Sequence, residues 1–105
     1  MGQHMARNLH RAGLLAGVWN RTTGKASAFA AETGCRPYPT PAALAADCDA
    51  VVTCVSADAD LLEVVDALCP ALRRGALVID CSTVAADTAR QAAARIAAAG
   101  ASFLD

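Results

Sequence analysis

Two short apolar stretches, Ala50-Val-Val-Thr-Cys-Val55 and Ala76-Leu-Val-Ile-Asp-Cys81, predict parallel β-strands in this chain. Neither stretch alternates regularly with polar residues, and both are rich in β-branched side chains, which is typical of strands buried on both faces of a parallel sheet. Residues 59–69 lie between them and place leucine and valine at helical spacing. This order of strand, helix and strand predicts an α/β domain.

The rest of the chain continues the alternation of helices and strands. Apolar spacing and terminating glycines predict helices at 3–12, 24–33, 42–46 and 86–99. Residues 15–19 and 101–104 predict further short strands, whereas the prolines within 35–41 allow at most an edge strand there. No repeat or linker divides the sequence, so residues 1–105 are predicted to be one domain.

Composition excludes several classes of protein. The chain has 105 residues, of which 55% are hydrophobic and 18% charged, so it is too apolar for a disordered segment. Its net charge of −1 offers no basic excess for general binding to nucleic acid. We also expect no membrane association, because no apolar run approaches the ~18 residues that span a bilayer. The first residues lack the apolar core of a signal peptide, and we therefore predict a cytoplasmic protein.

Cysteine usage is consistent with a reducing compartment. The five cysteines are odd in number and form no C-x-x-C motif, and His4 and His10 lie far from all of them in sequence. We therefore expect free thiols, with neither a disulfide framework nor a metal site.

The opening Met1-Gly2 leads directly into the first predicted helix. In dinucleotide-binding folds a strand and a G-x-G-x-x-G turn precede that helix, and a ribose-reading residue follows roughly 20 positions later. Asn20 stands 18 positions after Gly2 (20 − 2 = 18), which is close to that spacing. Gly2 thus fits either the last glycine of such a turn, with the first strand upstream of residue 1, or a plain helix cap.

Five motifs then occur in order along the chain: Met1–Leu9, Val18-Trp-Asn-Arg-Thr22, Asp49–Ser56, Val78–Val84 and Phe103-Leu-Asp105. Through them the chain resembles the β-hydroxyacid dehydrogenase family, which includes 3-hydroxyisobutyrate dehydrogenases. The N-terminal domain of that family is similar to that of 6-phosphogluconate dehydrogenase. The resemblance implies a Rossmann-type, doubly wound parallel sheet, here lacking its first strand at the N-terminus.

The resemblance also implies cofactor-binding roles for particular residues. Met1 and Gly2 match the end of the glycine turn, where the backbone approaches the pyrophosphate. The second-strand segment is matched by Asn20, Arg21 and Thr22, with Lys25 nearby as a second charge. Because this segment has no carboxylate to accept from the ribose hydroxyls, while Arg21 and Thr22 suit a 2′-phosphate, we expect NADP to be preferred over NAD. The alternative is that Arg21 and Lys25 are ordinary solvated charges.

Further along the chain, Val55 and Ser56 match a family loop that passes along the cofactor, and Thr83 matches a position near the nicotinamide. Ser56 suits a helix cap before Asp58 equally well, and Ser82 and Thr83 are also suited to capping the next helix. The family often has Asp directly after the position of Ser56, whereas here Asp58 comes one place later. Asp80 is expected to be a paired or strand-end carboxylate without a catalytic role.

The implied activity is reversible hydride transfer between nicotinamide and a 3-hydroxyacid or semialdehyde. The family's catalytic lysine belongs to a helical domain beyond residue 105, so we expect no catalytic residue in this chain. It is therefore predicted to be either a partial NADP-binding domain of a longer enzyme or a chain that repairs its sheet by association. The intact enzyme is expected to act on a small hydroxyacid or aldehyde and to be a homo-oligomer. Two alternatives remain, namely the cofactor domain of an imine reductase and a non-catalytic nucleotide-binding module.

Overall fold

The computed structural model describes residues 2–105, in which helices and short strands alternate. The helices are α1 (Gly2–Arg11), α2 (Thr23–Thr33), α3 (Pro41–Ala46), α4 (Asp58–Leu68) and α5 (Ala86–Ala98). The strands are β1 (Gly17–Val18), β2 (Arg36–Pro37), β3 (Ala50–Thr53), β4 (Leu77–Asp80) and β5 (Ser102–Leu104). Every helix and strand predicted from the sequence is present, with its ends shifted by a few residues.

Several helix boundaries follow from residues that complete the backbone hydrogen bonding at helix ends. Thr40 has an extended backbone, and its Oγ1 accepts from the Ala43 N–H at 3.1 Å, with Pro41 at the first helical position of α3. Helix α2 ends where Gly34 adopts a φ of 79° and donates its N–H to the Ala30 carbonyl at 2.7 Å.

The strands form two parallel sheets. β1 pairs with β2, and the second sheet has the order β3-β4-β5, with Val51 opposite Val78 and Thr53 opposite Asp80. The neighbours β2-β1 and β3-β4-β5 match positions 3-2 and 4-5-6 of the Rossmann strand order. No strand within residues 2–105 takes position 1. The predicted Rossmann-type fold is confirmed, and its first strand is not among the described residues.

The hydrophobic core lies on one face of the three-stranded sheet, beneath α4 and α5. Its largest side chains, less than 2% exposed, are Leu61, Leu68, Ile96, Val65 and Val78. Leu61, Val65 and Leu68 belong to α4, Ile96 to α5 and Val78 to β4, so their packing in one core holds the sheet against these two helices.

The central strands were predicted to be buried on both faces of the sheet. This prediction is wrong for the face that points away from α4 and α5. Along β3, Val51 and Thr53 are buried, but Ala50 and Val52 are exposed, Val52 by 38%. On this side α1 is separated from the sheet by a cleft of about 330 Å³, lined by Met5, Asn8, Leu9, Val52, Ile79 and Cys81. The apolar composition of β3 is therefore matched by packing on only one side within residues 2–105.

No helix in the described part of the chain combines the length and apolar character that a bilayer span requires.

Candidate functional site

The predicted site residues that the structure describes lie around the carboxyl ends of the strands and the start of α1. Asn20, Arg21 and Thr22 follow β1, Val55 and Ser56 follow β3, and Thr83 follows β4. Helices α2, α4 and α5 begin after these segments. This edge therefore presents several helix N-termini, whose free N–H groups and positive partial charge favour anions.

Gly2 begins α1 against the end of β3. A Cβ built on Gly2 would lie 3.6 Å from Cys54 Cβ and 3.9 Å from the Cys54 carbonyl oxygen, both ordinary contact distances. The surrounding protein therefore leaves room for a side chain at this position. A requirement for glycine would have to come from a ligand that approaches the helix start closely. Met1, predicted with Gly2, lies outside the described residues.

Helix α1 is fastened to α2 on the side away from the sheet. The Arg7 guanidinium donates to both carboxylate oxygens of Glu32, at 2.7 and 2.8 Å, and lies 5.5 Å from the centre of the Phe29 ring. Hydrogen bonding and the Arg7 charge lower the pKa of Glu32. This contact fixes α1 relative to the segment that leads out of β1.

The segment after β1 is shaped by a local turn. The Asn20 Oδ1 accepts from the Thr22 N–H at 2.9 Å, which folds the chain toward α2. Thr22 occupies the N-cap position of α2, but its side chain makes no capping hydrogen bond. Lys25 is exposed and forms no ion pair with another described residue. Thr22 and Lys25 thus have polar groups available for a ligand.

Arg21 reaches across to α4. Its guanidinium lies 2.9 Å from Asp60 Oδ1 and 3.2 Å from Glu63 Oε2, while the side chain remains 55% exposed. The hydrogen bond to Asp60, and then the charges of both carboxylates, raise the pKa of Arg21. Arg21 is thus paired with two carboxylates. To bind a phosphate, its guanidinium would have to break both of these ion pairs. Sequence reasoning missed Asp60 and Glu63, although their i,i+3 spacing already puts both on one helix face.

The loops after β3 and β4 are joined by a hydrogen bond. The Val55 N–H donates to Ser82 Oγ at 2.8 Å, whereas Ser56 and Thr83 are exposed and make no side-chain hydrogen bond within residues 2–105. The alternative that Ser56 caps α4 is wrong because Ala57 occupies the N-cap position. Ser82 and Thr83 likewise do not cap α5.

The cap of α5 comes from Asp58, which sequence reasoning did not select. Its Oδ2 accepts from the Thr88 hydroxyl at 2.7 Å and from the Ala85 N–H at 3.1 Å, at the N-terminus of α5. These two hydrogen bonds lower the pKa of Asp58. Asp58 also lies in the first turn of α4, where its negative charge favours the positive end of that helix. One carboxylate therefore stabilises the N-termini of both α4 and α5. Its position next to the family's usual Asp was the available signal.

Asp80 is a strand-end carboxylate, as expected. It is 4% exposed, and its Oδ1 accepts from the Thr53 hydroxyl at 2.8 Å and the Ser82 N–H at 3.1 Å. Its Oδ2 has no hydrogen-bond partner in the described part of the chain. These contacts orient Ser82, and through it the Val55 loop.

The sequence profile described as the NAD binding domain of 6-phosphogluconate dehydrogenase matches residues 1–105. An uncharacterized oxidoreductase of Shewanella frigidimarina is 37% identical over 108 residues, covering 100% of this chain and 37% of that protein. The human cytokine-like nuclear factor N-PAC is also 37% identical over 108 residues, covering 100% of this chain and 19% of its own length. The chain thus spans little more than a third of the first relative and about a fifth of the second.

Solved structures with the same fold include a Mycobacterium tuberculosis 3-hydroxyisobutyrate dehydrogenase with L-serine (TM-score 0.91, 25% identity, 98% of this chain and 35% of that one). Psf3, in complex with NADP+ and 2-OPP, has a TM-score of 0.84 and 28% identity over 98% of this chain and 37% of its own. An imine reductase from Pseudomonas sp. has a TM-score of 0.87 and 25% identity over 98% of this chain and 36% of its own. The chain therefore belongs to the NAD(P)-binding N-terminal domains of the β-hydroxyacid dehydrogenase family, an oxidoreductase family that shares the cofactor domain of 6-phosphogluconate dehydrogenase.

Proposed function

We propose that this domain binds NADP(H) in preference to NAD(H), as the cofactor-binding part of an oxidoreductase that acts on a 3-hydroxyacid or semialdehyde. The observation that carries the proposal is the end of β1. Arg21 is the charged side chain of the segment 20–22, which contains no carboxylate. A planar guanidinium suits a phosphate, whereas a site specialised for NAD presents a carboxylate to the ribose hydroxyls.

The residues present fit such a cofactor. Gly2 and the N-terminus of α1 would hold the pyrophosphate, because a helix start without a Cβ lets a phosphate reach the backbone N–H groups. Asn20, Arg21 and Thr22 would hold the ribose and its 2′-phosphate, with Lys25 adding positive charge at the start of α2. A 2′-phosphate would have to take the Arg21 guanidinium from Asp60 and Glu63. That exchange is inexpensive because exposed ion pairs are weak.

Val55, Ser56 and Thr83 would lie toward the nicotinamide end. When bound, the cofactor supplies or accepts the hydride at its nicotinamide ring. The chain's own contribution is to orient the cofactor through the loops that Ser82 and Asp58 hold in place. The proton-transfer residue is proposed to belong to a part of the enzyme beyond residue 105.

The substrate class rests on family relatives, among them the 3-hydroxyisobutyrate dehydrogenase. We propose a homo-oligomeric cytoplasmic enzyme with a small hydroxyacid or aldehyde substrate. The likeness to an imine reductase supports a second candidate, an imine-reducing enzyme with the same cofactor site. The nuclear factor N-PAC is a relative whose name describes no enzyme, so a nucleotide-binding module is the third candidate.

Titration of the protein with NADPH and NADH tests the cofactor proposal. We expect tighter binding of NADPH, and Arg21→Ala should reduce that affinity by roughly 5- to 50-fold while changing NADH affinity little. This range is the contribution of one charge-assisted hydrogen bond to the phosphate, reduced by the two weak exposed ion pairs that Arg21 gives up when it binds the phosphate. Arg73→Ala is the matched control, because Arg73 is similarly exposed, at 49%, and pairs with Asp49 away from this edge. Equal wild-type affinities for the two cofactors would contradict the proposal.

A second variant tests the helix start. Gly2→Ala introduces a Cβ that the protein accommodates, so stability should not fall. Affinity for both cofactors should fall, since the methyl group would stand between the pyrophosphate and the backbone N–H groups. Unchanged affinity would place the pyrophosphate elsewhere.

The two enzymatic candidates are separated by measuring whether the intact enzyme turns over 3-hydroxyacids or cyclic imines. Absence of both activities would favour the nucleotide-binding module.

A further inference from the structure

Two of the five cysteines follow neighbouring strands at the same edge of the sheet. Cys54 comes directly after β3 and Cys81 directly after β4. The residues just before them, Thr53 and Asp80, are register partners in the parallel ladder. Adjacent strands lie about 4.8 Å apart, and a disulfide requires a Cα–Cα separation of about 4.4–6.8 Å. Continuing this register by one residue places the Cα atoms of Cys54 and Cys81 within that range.

Both side chains lie on the same face of the sheet. Val52 and Ile79, register partners two residues before the cysteines, line the cleft beneath α1, and Cys81 lines it too. Since side chains alternate along a strand, Cys54 shares the face of Val52. The position of its Cβ near Gly2, at the start of α1, agrees with this assignment.

Hydrogen bonds hold the two chain segments together on both sides of the pair. Before it, the Cys81 N–H donates to the Thr53 carbonyl at 2.8 Å. After it, the Val55 N–H donates to Ser82 Oγ at 2.8 Å. The segments therefore do not diverge at the positions of Cys54 and Cys81.

The other three cysteines are placed differently. Cys35 precedes β2, Cys48 precedes β3, and Cys69 lies in the turn after α4, so all three are at the amino edges of the strands. Cys48 is buried, and desolvation raises the pKa of the Cys48 and Cys69 thiols, which disfavours the reactive thiolate. Cys81, in contrast, is exposed and Cys54 is half-buried.

From this juxtaposition we propose that Cys54 and Cys81 form an oxidation-sensitive dithiol site whose co-reactant is a peroxide. The exposed Cys81 sulfur attacks the O–O bond of hydrogen peroxide, becomes a sulfenic acid, and one water leaves. The Cys54 sulfur then displaces the hydroxyl, which leaves as a second water, and the S–S bond forms. Two thiols and one peroxide thus give one disulfide and two waters. Two exchanges with a thiol reductant restore the dithiol. This site does not depend on the cofactor assignment.

Mapping the oxidised cysteines tests the proposal. The folded protein is treated with hydrogen peroxide, its remaining thiols are alkylated, and the linked peptides are identified by mass spectrometry. We expect a Cys54–Cys81 link, lighter by two hydrogen atoms than the separate peptides, as the main product, and its loss on reduction. The same treatment in urea should give a mixture of pairings among all five cysteines.

Variants sharpen the result without carrying it alone. Cys54→Ser and Cys81→Ser should each abolish the link, whereas Cys35→Ser, at a half-buried position just before β2, should retain it. A dominant link between other cysteines would overturn the proposal. So would a pattern in the folded protein identical to that in urea, or oxidation of Cys81 that stops at the sulfinic acid with Cys54 still alkylated.

Discussion

Replacing Gly17 with alanine tests whether the close approach of β1 to Tyr38 sets the position of the segment after β1. A Cβ on Gly17 would clash with Tyr38 Cε2 and would lie 2.6 Å from the Arg36 carbonyl oxygen. Comfortable contacts between carbon atoms begin near 3.5 Å. The Arg36 carbonyl belongs to the backbone of the partner strand, so it cannot swing aside as a flexible side chain would.

The tyrosine ring cannot yield easily either. Tyr38 is 6% exposed, and its hydroxyl donates to Asp47 Oδ2 at 2.9 Å. Adding a methyl group to a filled site typically costs about 1–3 kcal/mol. We expect about 2–3 kcal/mol for Gly17→Ala because both obstacles are fixed, which lowers Tm by roughly 10 to 20 °C in a domain of this size. Asn20 follows the end of β1 by two positions, so a shift of β1 would also displace the proposed ribose-binding segment. The affinity for NADPH should therefore fall as well.

Urea unfolding followed by circular dichroism measures this cost. Gly24→Ala is the matched control, because a Cβ there meets no atom within 4 Å and alanine should stabilise the exposed turn of α2 by about 0.5–1 kcal/mol. In a Tyr38→Ala background, Gly17→Ala loses the ring clash and should cost distinctly less. The same cost in both backgrounds would refute the ring clash, and no cost in either would refute the close approach of the strands.

Three further predictions concern charge and packing. Converting Asp60 and Glu63 to their amides frees the Arg21 guanidinium, so calorimetric titration should show NADPH affinity rising roughly 2- to 10-fold, with NADH affinity unchanged; a decrease would contradict the competition. The hydrogen bonds from Thr88 and Ala85 lower the pKa of Asp58 in the folded state. The stability that they contribute is present at pH values above the ordinary Asp pKa of about 3.9, and it is lost as the pH falls through the lowered pKa. Thermal melts should therefore show a decline in Tm below about pH 4 that is shallower in Asp58→Asn, whereas parallel curves would exclude Asp58 as a source. Denaturant unfolding should give about 2–5 kcal/mol for Ile96→Ala and about 0.5–1.5 kcal/mol for Ile96→Val, since this side chain is fully buried, and equal costs would argue against a packed site.

The elements themselves were predictable because their signals are local. The runs around Val51 and Val78 have no competing helical pattern, and Gly34 falls where a left-handed residue must end α2. The placement of Asn20 and Ser56 after strands follows from the same local patterns, since parallel strands bring their carboxyl ends to one edge. The sequence therefore predicts which segments meet at this edge, and the cofactor-binding roles of their residues stay predictions.

Contacts between distant segments were not predictable in the same way. An apolar run such as the one around Val52 reports which residues favour burial, but not whether both faces of the strand are covered. The hydrogen bonds of Asp58 to α5 join residues about thirty positions apart, and the ion pairs of Arg21 join residues about forty apart. The i,i+3 spacing of Asp60 and Glu63 and the position of Asp58 are visible in the sequence, but their distant partners are not. Each contact depends on the fold that places α4 beside its neighbours.

The contacts at this edge differ in strength, and that difference bears on which of them a ligand can change. Asp58 and Ser82 link the loops after β3 and β4 through hydrogen bonds to backbone N–H groups, at 3.1 and 2.8 Å. Losing Ser82 would leave the half-buried Val55 N–H without its partner, and losing Asp58 would leave the buried Thr88 hydroxyl without its acceptor, so either change should be clearly destabilising. Arg21, by contrast, is held only by exposed ion pairs whose partners return to water at little cost. An anion arriving at this edge could therefore redirect Arg21 without breaking the hydrogen bonds that join the loops. The proposed binding of a 2′-phosphate would then require only this one side chain to move.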